Sequence, residues 1–247
     1  MAPEAEPEPV PGPSPEPGPA VAVFAHPDDA EIAAGGTLAR WCAEGREVHL
    51  LVLTNGDRGA PEPLDRAALA ATRLQETRAA AELLGLAGVT VLDHHDGELE
   101  NSPDVRRAIV RVVRTVRPRV VVSCDPTVVF FGNRYFNHAD HRTAGMCALD
   151  AVFPAAGNPL FFEELLAEGL QPWSVPEVWL GWTMEPNHHQ DVTGHMDAKL
   201  RSLGKHASQV AGNQLGFFEQ WLPMEAEEAG RTIGVQHAEA FRVLQLG

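Results

Sequence analysis

The run Ala25-His26-Pro27-Asp28-Asp29, placed where a short apolar stretch ends, constrains this chain more than any other feature. It sets one imidazole and two carboxylates within four positions, at what reads as the carboxyl end of a strand. Open α/β sheets gather their sites along that edge. A second polar cluster, His138-Ala139-Asp140-His141, follows far downstream. Each cluster alone reads equally well as a polar turn or a helix cap. Together they point to metal-assisted hydrolysis.

The segments around these clusters alternate. Residues 20–25, 47–54, 89–92 and 120–123 read as apolar strands. Between them the pattern predicts helices. One passes through Ile32, Leu38 and Trp41 and stops near Gly45. A second covers 65–84 and ends at Gly85, and a third is capped by Ser102, with Pro103 at its first position. Strand–helix alternation predicts parallel βαβ units, hence a Rossmann-like α/β fold with a mostly parallel sheet and helices on both faces. The second half is less regular. It predicts a helix after Asp140, a proline-rich stretch over 154–176, a strand over 177–183 and a helix over 194–210. Residues 1–19 are nearly all Pro, Glu, Ala and Gly and read as a disordered tail, leaving 20–247 as one folded domain.

Charge and cysteine usage narrow the function classes. The 247 residues carry 34 acidic and 19 basic side chains, a formal net charge of −15. Such a surface repels phosphate backbones, so nucleic acid is not an expected partner. There is no apolar run of membrane-spanning length and no leader-like segment. Cys42, Cys124 and Cys147 form no Cys-x-x-Cys pair, which suits a reducing cytoplasm.

His26, Asp57, Asp96 and Asp125 each follow one of the four apolar strands, as a shared crevice requires. Zinc accepts imidazole nitrogen and carboxylate oxygen, and its catalytic sites keep a position open for water. His26 and Asp29 lie close enough for one turn to aim both at an ion. Asp28 cannot easily join them, but can stand beside the ion's water and take its proton. Either His138 or His141 can be the third ligand. The other would then act as a general acid, its charged form favoured by Asp140.

The stretches A-H-P-D-D-A-E, G-G-T-L-A-R and N-H-A-D-H-R-T-A-G resemble the PIG-L/LmbE-like family of zinc-dependent N-deacetylases. So do T-N-G-D-R-G at 54–59, D-G-E-L at 96–99 and K-H-A-S-Q at 205–209. The resemblance implies one Zn2+ per chain held by His26, Asp29 and His141, with Asp28 as general base. It makes His138 the second catalytic residue, protonating the leaving amine or steadying the oxyanion. Arg73 and Asp96 would contact sugar hydroxyls; independently of the resemblance, Asp57 and Arg58 after the second strand read as pocket-lining residues, brought there by the Asn55-Gly56 turn. The implied reaction removes an acetyl group from an N-acylated amino-sugar-containing small molecule, without a nucleotide cofactor. Two departures stand out. Ala139 replaces a usual proline, and Phe136 occupies a position where relatives can carry a lid tyrosine, leaving Tyr135 one place earlier as the candidate.

Rival readings are an amidase acting on a larger amide, such as a thiol conjugate or antibiotic scaffold, and a metal-dependent phosphoesterase. A nicotinamide enzyme is disfavoured because no Gly-x-Gly-x-x-Gly turn follows the first strand. His94-His95 read as loop histidines, His188-His189 with Asp191 as a weak metal pair, and His206 as a structural residue near the site. Trp173, Trp179 and Trp182 read as either core or sugar-stacking rings.

Overall fold

A computed structural model describes residues 18–59, 65–133, 135–210 and 213–246. Most of the expected tail, residues 1–17, lies outside the described residues. Gly18 and Pro19, at the end of that tail, are tied to the fold. Arg46 Nε donates to the Gly18 carbonyl at 2.5 Å, and the Arg119 amide donates to the Pro19 carbonyl at 2.8 Å.

The first strand, β1 (Ala20–Phe24), is buried along its whole length. Its alternate side chains therefore feed two cores. Val21, Val23 and Ala25 pack with α3 (Pro103–Val116) and α4 (Ala139–Asp150) on one face. Ala20, Ala22 and Phe24 pack with α1 (Asp29–Ala43) on the other. Beside β1 lie β2 (Val48–Thr54) and β4 (Val120–Cys124), and β2 also pairs with β3 (Gly88–His94). All are parallel, as is the pairing of β4 with β7 (Glu177–Gly181). Two strands that the sequence reading did not anticipate finish the sheet antiparallel: β9 (Ala238–Gln245) on β7, then β8 (His188–Asp191). The order β3-β2-β1-β4-β7-β9-β8 places the reversal of strand order between β1 and β4, where α/β sheets open a crevice.

Helix α2 (Arg66–Leu84) has Asp65 as N-cap and Gly85, at φ 79°, as its left-handed stop, as expected. The single helix expected over 194–210 is instead two, α6 (Met196–Leu203) and α7 (Ala207–Val210). It is followed by α8 (Asn213–Ile233), which the sequence reading left unassigned. A small hairpin, β5 (Phe130–Phe131) with β6 (Tyr135–Phe136), precedes α4, and a short α5 (Glu163–Ala167) follows it.

The Gly35-Gly36 pair has a packing reason. A Cβ on Gly36 would lie 2.9 Å from Val192 Cβ, and one on Gly35 would lie 3.0 Å from Lys199 Cγ. Glu239 accepts the Gly36 and Thr37 amides at 2.9 and 2.8 Å and pairs with Lys199 at 2.5 Å, which locks α1 to α6 and β9. The three cysteines are unpaired, and no helix among the described residues is long and apolar enough to cross a membrane.

Candidate metal centre

The loop after β1 turns sharply because Asp28 adopts left-handed backbone, φ 95°, a conformation Asp tolerates better than most residues. Asp29 opens α1 and accepts the His26 amide on Oδ2 at 2.8 Å, folding the loop back on itself. Asp28 occupies the N-cap position yet makes no capping bond, so its carboxylate is left for other work.

Helix α4 brings His141 to this loop. His141 Nε2 lies 3.2 Å from His26 Nδ1 and 3.1 Å from Asp29 Oδ1, and His26 Nδ1 lies 3.4 Å from Asp29 Oδ2. The outer nitrogens assign the protons. His141 Nδ1 donates to Asn137 Oδ1 at 2.9 Å, and His26 Nε2 donates to Asp140 Oδ2 at 3.1 Å. Two imidazole lone pairs and a carboxylate then face one another, an arrangement that repels unless a cation sits among them. Outer hydrogen bonds of this kind are what orient metal-binding histidines. The donor set fits a divalent ion of zinc's preference.

A second set within reach, His26 with Asp96 and Asp140, meets at Nε2 of the same ring. There an N–H already satisfies the oxygens without an ion. Burial opposes the charge on His26, yet Asp29 and then Asp140 hold its pKa well above the ordinary value. Asp29 itself is held far below the usual carboxylate range, because His141 and His26 outweigh its burial. Burial pushes Asp28 up to about 6, against the pull of Arg73 and with the help of Asp29.

Asp140 favours the charged form of His138 through its charge alone, against the larger effects of burial and His26. Its carboxylate faces His26 and the amides of Gly97 (2.7 Å) and Leu99 (3.3 Å), not the His138 ring. Burial and the neighbouring His26 lower the His138 pKa. His138 caps α4, accepting the Asp140 amide on Nδ1 at 3.2 Å, which puts its proton on Nε2. Its ring stands edge-on to His26, with centroids 4.8 Å apart.

Arg73 is buried beneath this loop. It donates to the Pro27 carbonyl at 2.7 Å and the Gly56 carbonyl at 3.0 Å, and lies 3.5 Å from Asp28 Oδ1. A Cβ on Gly56 would overlap its guanidinium, so the glycine is required by contact as well as by its φ of 64°. Asp96 lies 3.2 Å from His26 Nε2. Both oxygens of Asp57 are engaged by neighbouring groups. Oδ2 accepts from Arg66 and from His95 Nδ1 (2.9 Å), and Oδ1 accepts the Asp96 amide at 3.1 Å. Tyr135 sits on the exposed hairpin, its ring 5.8 Å from that of Phe131.

Among the rings, Trp182 belongs to the site, its centroid 4.8 Å from that of His141. Trp179 packs in the core against Trp41 and Phe241. His188 packs on Trp179, and every group of three or more potential ligands among the described residues includes His26. Sequence reasoning missed Asn137 as the residue orienting His141. Its only signal was its place directly before the histidine cluster, where it read as a turn former.

The profile of the PIG-L family, described as GlcNAc-PI de-N-acetylase, matches residues 21–152, more than half of the chain, a span that includes His26, Asp28, Asp29, His138 and His141. The chain belongs to the PIG-L family. A diacetylchitobiose deacetylase from Thermococcus kodakarensis is 36% identical over 88% of this chain and 79% of its own. A 1D-myo-inositol 2-acetamido-2-deoxy-alpha-D-glucopyranoside deacetylase from Rhodococcus opacus is 31% identical over 76% of this chain and 80% of its own. The N,N'-diacetylchitobiose deacetylase structure from Pyrococcus horikoshii superposes with a TM-score of 0.84 at 32% identity, covering 92% of this chain and 83% of that one. At 22% identity, a 4-carboxy-2-hydroxymuconate hydratase from Pseudomonas putida shares the fold with a TM-score of 0.77, so the PIG-L architecture alone does not fix the reaction.

Proposed function

We propose that the chain is a metal-dependent hydrolase that removes the acetyl group from a small N-acetylated amino sugar. The convergence of His26 Nδ1, Asp29 and His141 Nε2 within 3.1–3.4 Å carries this reading. These three residues would hold one divalent ion, zinc by the character of the donors. When bound, the ion supplies Lewis-acid polarisation of the amide carbonyl and a lowered pKa for water.

The chain's own residues do the rest. Asp28, unengaged by helix capping and braced by Arg73, takes the proton of the attacking water and passes it to the amine nitrogen as the C–N bond breaks. Its position beside Asp29 keeps it near the ligands without competing as one. His138 presents its Nε2 proton from the N-terminus of α4 and stabilises the negative charge that develops on the carbonyl oxygen. Of the two roles open to it, this geometry favours oxyanion donor over acid. Asp96 stands beside His26, where an oxygen can receive a sugar hydroxyl. Two relatives more than 30% identical are named as deacetylases of acetylated amino sugars, which supports that substrate class over a larger amide or a phosphate ester. We keep the cytoplasm as the expected compartment, supported by the three unpaired cysteines.

The test is acetate release from a panel of N-acetylglucosamine derivatives, before and after chelation and after zinc return. Release that stops with the chelator and returns with zinc is the expected result. Release indifferent to chelation contradicts the reading.

A further inference from the structure

Two residues that stand out in the sequence play no part in the reaction above: Asp125 after β4 and Trp182 after β7. Asp125 is buried, and both of its oxygens are used. Oδ1 accepts the Thr127 amide at 2.9 Å and the Thr127 hydroxyl at 2.6 Å, and Oδ2 accepts the Thr183 hydroxyl at 2.6 Å. The Asp125 amide donates to the Gly181 carbonyl at 2.9 Å. Asp125 therefore grips the chain on both sides of Trp182. Trp182 needs that grip, because its φ of 53° is left-handed backbone, which a bulky residue keeps only where its surroundings impose it. The bent chain sets the Trp182 ring edge-on to Phe24, with centroids 6.5 Å apart. It also lays that ring against the imidazole of His141, with centroids 4.8 Å apart and planes 35° from parallel.

The bond from His141 Nδ1 to Asn137 Oδ1 fixes one edge of the imidazole, and one such bond tolerates tilt of the ring plane. A flat ring packed against its face removes that tilt. Resting on the metal centre proposed above, we propose that Trp182, clamped by Asp125 through Thr183, is a positioning residue that fixes the plane of His141. It thereby aims His141 Nε2 at the cation. Its ring also keeps water from that side of the imidazole, and such an apolar shell strengthens a metal site.

The test is calorimetric zinc titration of the chelated wild type beside Trp182→Ala, Trp182→Phe and Thr183→Val. Trp182→Ala should weaken zinc by about 10–100-fold, the range for losing an outer partner of a ligand. Trp182→Phe restores a ring at the same place and should recover most of that loss. Thr183→Val keeps the ring but releases the clamp, and should show a smaller loss. Wild-type affinity in Trp182→Ala overturns the proposal, as does a Trp182→Phe protein that binds no better than Trp182→Ala. If Trp182→Ala does not fold, Thr183→Val decides, and wild-type affinity there overturns the proposal. A wild type that takes up no zinc defeats the metal reading instead. Nitrogen-15 spectra of the histidine-labelled, chelated proteins then decide the role of Trp182. His141 should hold a single Nδ1–H tautomer in the wild type and a mixture in Thr183→Val, and one unchanged tautomer in both overturns the proposal.

Discussion

Asp28 shows what a single residue contributes here. Its backbone is left-handed and its carboxylate makes no helix-capping bond, while burial pushes its pKa up to about 6. Asp28→Asn should lower kcat by about 100-fold or more, the usual worth of a positioned base. A loss smaller than tenfold would remove it from that role. Deeper in, His206 and Glu31 form an ion pair at 3.4 Å, both almost wholly buried. Burial works against the charge on His206, but Glu31 and Asp28 outweigh it and hold its pKa above 6.5. The charged ring therefore stabilises the fold fully below pH 6.5, and that contribution fades as pH rises through the raised folded value. His206→Gln should flatten the fall of the melting temperature over that range. An unchanged pH slope would show that the pair contributes no linkage.

At the level of elements, the centre depends on how closely α4 approaches β4. A Cβ on Gly145 would overlap the Cys124 carbonyl oxygen, so this helix reaches the sheet only because that position lacks a side chain. Gly145→Ala should cost about 1–3 kcal/mol, the range for overpacking, and should weaken metal binding by moving His141. Denaturant unfolding together with zinc titration checks both. Loss of stability with unchanged affinity would show that His141 is positioned independently of the packing.

Legibility in the sequence followed the same division. Strands β1, β2, β4 and β7 were readable because burial along nearly their whole length makes them apolar runs, and the half-buried β3 was readable from its short run Val89–Leu92. His26 and Asp29 were readable because a strand end announces itself locally, whereas the residues alone left His138 and His141 open as the third ligand and only the family resemblance chose between them. Strand β8 was not readable, since His188-His189-Gln190-Asp191 has no apolar alternation and is held by pairing with β9. Nor were the engagements of Asp57 and Asp140. A carboxylate at a strand end looks the same in sequence whether it faces a substrate or a neighbouring loop's amides.

For the whole molecule, the centre collects Asp28, Asp29, Asp96 and Asp140 around His26 in a chain already at −15. A cation that binds only the folded state should stabilise it by mass action, about 4 kcal/mol at a thousandfold excess over Kd. Chelation should therefore lower the melting temperature, and zinc should restore it. An unchanged melting temperature would argue against a tight site. The most direct measurement is calorimetric zinc titration of the chelated wild type beside Asp28→Asn and His141→Ala. The account predicts one site per chain in the first two, and in the third an affinity weakened by at least about 100-fold, the upper range for losing even an outer partner of a ligand. Full-affinity binding by His141→Ala would contradict it.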